Sequence, residues 1–147
     1  MKPFDDRLNV AWWALRLGLG IAPIAAGLDK YFNKLTDWTM YLSPLATKVV
    51  PVSPANFMHI VGVVEIIAGI LVLTRWTRLA SYIVMAWLLC IAINLLTMGV
   101  FYDLAVRDIE IAIAAFALSQ LTAVREACLA TAIPANAPGN SQFAVSR

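Results

Sequence analysis

Four apolar runs, each long enough to cross a bilayer, take up most of this chain. They lie roughly over 8–28, 56–73, 79–99 and 104–123. A helix of about 20 residues spans the hydrocarbon core of a membrane. The run at 56–73 is the shortest and leaves room for little tilt. Composition points the same way: of 147 residues, 61% are hydrophobic and 14% charged. Soluble domains average about 45–50% apolar and about 25% charged residues. A chain of this size hides only about 70% of its surface on folding, too little for so much apolar area. The expected fold class is therefore an all-α membrane protein, a four-transmembrane-helix bundle in a single domain over 1–132. A long outer loop is expected between the first and second helices, and a flexible tail rich in Pro, Ala, Asn and Gly over 133–147. A disordered chain, a nucleic-acid module and an ordinary soluble enzyme are excluded on the same grounds. The bilayer is the expected partner, and no nucleic acid is expected.

The first run could pass for a signal peptide. Arg16 interrupts it, Asp5 and Asp6 make its start acidic, and no small-x-small cleavage site follows, so a retained helix is expected. In the long linker, Pro44, Pro51 and Pro54 break any continuous helix. Its first half mixes Tyr31, Phe32, Trp38 and Tyr41 with Lys34 and Asp37. That pattern suits either a short helix at the membrane surface or a plain capping loop. Lys2, Arg7, Arg75, Arg78, Arg125 and Arg147 fall on the side of the termini, against Lys30, Lys34 and Lys48 on the other, six to three. This bias predicts both termini in the cytoplasm. The Arg75–Trp76–Arg78 turn reads as an anchor at anionic headgroups or, with the aromatic loop, as a docking surface.

Ionisable residues inside spans are costly and face a partner or a cavity. Arg16 and Glu65 each lie about 12 Å from the inner ends of their spans, at about 1.5 Å rise per residue. In antiparallel helices this puts them at equal depth and predicts a structural ion pair. Arg16, Gly20, Pro23 and Gly27 form one stripe, and Gly62, Glu65 and Gly69 another. Small residues let membrane helices approach closely. A second polar layer of His59, Asn94, Arg107, Asp108 and Glu110 lies about 20–24 Å from the inner ends by the same rise, with Asp29 and Lys30 just beyond. Arg107 and Glu110 can pair locally. Asp108 points about 100° away and needs Lys30, His59 or Asn94. Two readings stay open. One is a structural polar core. The other is a pocket of His59, Asn94, Asp108, Glu110 and Lys30 for a polar head such as a quinone ring, with His59 handling protons. No metal site is expected from one His and two Cys 38 residues apart, Cys90 and Cys128, and no thiol redox motif either. No catalytic residue stands out, and the sequence does not choose an oligomeric state.

The order of several short motifs carries a resemblance. Arg16-Leu17-Gly18-Leu19-Gly20 leads to Ala26-Gly27-Leu28-Asp29-Lys30, and the second helix carries Gly62-Val63-Val64-Glu65 through Ala68-Gly69-Ile70-Leu71. Arg107-Asp108-Ile109 opens the fourth. Over roughly Leu8 to Ala123 the chain resembles the DoxX-like family of small four-helix integral membrane proteins. The family includes membrane subunits of a thiosulfate:quinone oxidoreductase and members tied to oxidative-stress or thiol-redox assemblies. The resemblance marks Arg16, Gly27, Lys30, Glu65 and Gly69. It implies a bacterial inner-membrane protein, an accessory or quinone-associated subunit of a membrane redox system, with a redox partner subunit and a non-covalent quinone. A non-catalytic scaffold that docks a partner protein is the alternative.

Overall fold

The structure, a computed structural model, describes residues 5–49 and 51–132. The expected tail over 133–147 lies outside the described residues. Four long helices pack side by side: α1 (Asp6–Phe32), α3 (Pro54–Leu73), α4 (Thr77–Met98) and α5 (Tyr102–Ala132). A strap over residues 33–53 joins α1 to α3. It holds a 3-10 turn at Trp38–Tyr41 and a short helix, α2 (Pro44–Val49). The surface helix considered for the first half of this segment is therefore a single 3-10 turn. Among the described residues there is no strand. Length and apolarity single out α1, α3 and α4 as able to cross a membrane. The expected fourth span, 104–123, falls in the N-terminal two-thirds of α5, the longest helix at 31 residues.

Local chemistry sets the ends. Asp5 accepts a hydrogen bond from the Arg7 backbone N–H at 2.8 Å and opens α1, with Asp6 in the first turn. Asn33 closes the helix in the left-handed region at φ 48°, an Asn-tolerant conformation, and donates its backbone N–H to Asp29 O at 2.7 Å. Ser53 caps α3, and Pro54 fills its first turn, where a missing N–H costs nothing. Gly99, at φ 73°, ends α4.

α1 packs chiefly on α3 and α4 on α5, and the two pairs meet side by side. The α1–α3 register is set backbone against backbone. A Cβ on Gly27 would stand 2.5 Å from Gly62 O, and one on Gly62 would stand 2.7 Å from Gly27 O. One turn-pair away, a Cβ on Gly69 would run into Gly20 O and meet Ile24 Cγ1 at 2.7 Å. The core near the N-terminal end of α1 holds Trp12, Leu19, Ala68, Val72, Ala80, Val84, Ala115 and Leu118. A second cluster, Ala92, Leu95 and Ala105, lies under Tyr41 and Phe101 of the strap end. The outer faces carry large apolar side chains instead. Ile21, Ile60, Ile67, Ile93 and Ile113 are 52–63% exposed, as expected where lipid rather than water is the solvent.

Replacing Gly27 or Gly69 with Ala should each lower stability by about 1–3 kcal/mol, the usual cost of overpacking. A Cβ on Gly18 would meet nothing within 4 Å, so Gly18→Ala should be neutral or slightly stabilising. Thermal midpoints of the three variants in one detergent check this.

Candidate functional site

At the strap end, charge is buried between helices. Lys30 Nζ donates to Glu65 Oε2 at 2.6 Å, with side-chain exposures of 4% and 11%. Helical side chains lean toward their own N-terminus. α1 and α3 run antiparallel, so Lys30 and Glu65 lean toward one another across the glycine contact. The ammonium also lies 3.7 Å from the Trp38 ring centroid, a cation–π contact that strengthens on desolvation. Trp38 in turn donates its indole N–H to Asp29 Oδ2 at 2.8 Å. Asp29 also accepts from the Lys34 N–H at 3.2 Å and from the Leu35 N–H at 3.1 Å. Asp29 thus folds the chain back over the end of α1 and sets Trp38 over Lys30. Next to Trp38, the Thr39 hydroxyl and backbone N–H donate to Asp37 at 2.6 and 3.0 Å. These bonds hold the Asp37 carboxyl below its ordinary range.

Asp108 completes the cluster. It lies on the buried stripe of α5 with Ala105, Ala112, Ala115 and Ser119, and is itself 9% exposed. It is close enough to Lys30 and Glu65 to interact electrostatically. Among the described residues its carboxyl makes no hydrogen bond.

The expected Arg16–Glu65 pair does not form. Arg16 Nε donates to Val72 O at 3.1 Å, and Nη2 donates to Leu73 O at 2.6 Å and Thr74 O at 2.7 Å. The guanidinium therefore closes the C-terminal end of α3, where helix carbonyls lack partners. It also lies 4.7 Å from the Trp12 ring and 5.1 Å from the Trp13 ring. The span ends of α1 and α3 do not mark equal depths. The glycine contacts put Arg16 level with residues 72–74, and its lean carries it away from Glu65.

The rest of the expected polar layer disperses. Asn94 Nδ2 donates to Tyr41 O at 2.8 Å and Asn94 Oδ1 accepts from Ser43 N at 3.2 Å, so Asn94 ties the strap to α4. His59 stacks on Tyr31 with ring centroids 4.6 Å apart, and Tyr31 OH donates to His59 O at 3.1 Å. Glu110 and Arg107 are exposed and form no ion pair with each other. Of the five expected pocket residues, Lys30 pairs with Glu65, and Asp108 lies within electrostatic range of both. Asp29 and Trp38, noted in the sequence only as the end of the first span and part of the aromatic linker, are the residues that cover Lys30.

A family model described as DoxX matches residues 11–100. The chain belongs to the DoxX family. No significant match is found among curated proteins or among solved structures. With its apolar helices, this DoxX-family chain is a multi-pass membrane protein. The match takes in Arg16, Lys30, Trp38 and Glu65 but ends before α5, so Asp108 and the Arg107-Asp108-Ile109 motif lie outside it. Among the described residues of the DoxX-family chain, no group of three or more His, Cys, Asp or Glu could hold a metal ion.

Lys30→Met should leave Glu65 buried and unpaired, a loss of about 3–5 kcal/mol. Lys30→Met combined with Glu65→Met should recover most of it. Arg16→Ala should destabilise by a similar amount with or without Glu65→Gln, since the two sites share no partner. A double-mutant cycle read by thermal unfolding would show near-zero coupling for Arg16 and Glu65, and strong coupling for Lys30 and Glu65.

Proposed function

We propose that this DoxX-family chain is an accessory subunit of a membrane redox assembly, inserted as four spans with both termini in the bacterial cytoplasm. The redox setting rests on the family resemblance, and the accessory role rests on the packing. The observation that carries it is how the intramembrane polar groups are used. Lys30 is engaged by Glu65 and Trp38, Arg16 by the end of α3, and Asn94 by the strap. Groups held this way fix register and helix ends. The bundle then serves as a rigid platform, and the electron-carrying chemistry belongs to a partner subunit.

A second reading has one specific observation in its favour. Asp108 is a buried carboxyl without a hydrogen bond, beside Lys30 and Glu65. In its protonated form such a group can donate its O–H to a quinone oxygen as a single polar contact. His59, turned to Tyr31, and the exposed Glu110 do not join it.

Gentle detergent extraction from the native membrane, with mass spectrometry of co-purifying proteins and of the organic extract, tests both readings. A stoichiometric dehydrogenase-like partner is the expected result. A protein that purifies alone would overturn the redox-subunit reading and leave a scaffold for some other partner. Stoichiometric quinone that is lost in Asp108→Ala but kept in Glu110→Ala would establish the second reading.

A further inference from the structure

At the opposite end of the bundle, the α3–α4 turn and the end of α5 enclose an open groove of about 350 Å³, lined by Arg75, Trp76, Arg78, Leu79, Tyr82 and Glu126. We propose that this groove binds the phosphate of one anionic phospholipid, whose acyl chain lies along Leu79, Tyr82 and Phe116. The inference is independent of the redox role and requires only that the turn meet the headgroup region.

The charges at the mouth are available. Arg75 forms no ion pair among the described residues and lies 5.6 Å from the Trp76 ring. Arg78 has Glu126 at 3.8 Å, with side-chain exposures of 54% and 53%. Pairs so exposed contribute little, so a phosphate can displace Glu126. Two guanidinium groups near one opening suit a phosphate, which arginine can bind through two parallel hydrogen bonds. Two other arginines at this end are occupied: Arg16 by carbonyls and Arg125 by the Trp12 ring at 4.2 Å.

The wall below the mouth is apolar and open. Trp76 is 53% and Leu79 54% exposed, and tryptophan favours the headgroup level. Tyr82 is fixed by Gln120 Nε2, which donates to its hydroxyl at 2.8 Å. Its ring meets that of Phe116 at 6.4 Å, and Phe116 is 46% exposed. A polar mouth above an apolar strip matches a lipid better than it matches a free anion. The Lys and Arg bias places this end at the cytoplasmic leaflet, where anionic lipids attract basic segments.

The test uses the full chain in detergent and native mass spectrometry. Phosphatidylglycerol and phosphatidylcholine with the same acyl chains are titrated in separate samples, and inorganic phosphate is tested by thermal shift. One phosphatidylglycerol should be retained with a preference on the order of tenfold. Arg75→Ala with Arg78→Ala should abolish the preference. Glu126→Gln should increase it, and Lys34→Ala, at the strap end, should leave it unchanged. Equal retention of the two lipids by the unmutated protein would overturn the proposal, as would a preference that survives loss of both arginines. Stabilisation by inorganic phosphate equal to that by phosphatidylglycerol would also overturn it, in favour of a free-anion site. If the double variant does not fold, Arg75→Gln alone should still weaken the preference, and an unchanged value there counts against the site.

Discussion

An ammonium and a carboxylate facing each other between two helices govern the strap end of this bundle. Removing either ion from water costs several kcal/mol, and that cost is offset only if the partner sits at hydrogen-bond distance and the remaining faces are covered. Each neighbouring feature serves one of these conditions. The glycines at 20, 27, 62 and 69 bring the axes of α1 and α3 close enough for the two side chains to meet. The common lean of antiparallel side chains closes the axial gap. The Trp38 ring covers the ammonium. Asp29 positions Trp38 by accepting its indole N–H while also turning the backbone at residues 34 and 35.

The strap is thereby tied to both helix pairs. Asp29 and Trp38 fix its start over α1. Asn94 holds Tyr41 and Ser43 against α4, and the Tyr41 ring meets Phe101 at 4.9 Å. A segment with little regular structure thus couples the two helix pairs at one end. At the other end, Arg16 joins α1 to the end of α3, and Trp12 donates its indole N–H to Thr122 Oγ1 on α5 at 2.8 Å. The bundle is tied by polar side chains at both ends and packed by small residues between them.

How much of this was legible depended on the kind of signal. The helices and their approximate limits followed from runs of apolar residues, a property each segment carries alone. The close α1–α3 approach followed from Gly20, Gly27, Gly62 and Gly69, because small residues at helical spacing mark a face. The partner of Glu65 did not follow. Span ends are poor markers of depth here, because α1 and α5 extend past the α3–α4 turn. Matching glycine to glycine would have set the register and placed Arg16 beside the α3 carbonyls. The role of Trp38 depends on one left-handed residue, Asn33, and a reversal of the chain. No periodicity announces such a reversal. Asp108 is buried while its neighbour Arg107 is exposed. Its inward orientation was encoded in the small residues at 105, 112 and 115, on the same face of α5.

The separation between Lys30 and Glu65 has a consequence for how the chain is made. The two residues lie 35 positions apart. At about 5–20 residues per second of synthesis, seconds pass between the appearance of the lysine and that of its counter-ion. During that interval α1 exists without α3, and its ammonium has no carboxylate to meet. Lys30 lies two residues from the end of its helix, where a long side chain can reach the headgroups and stay hydrated. The first helix can therefore wait in the bilayer with its charge in water, and entry of the third draws that charge inward.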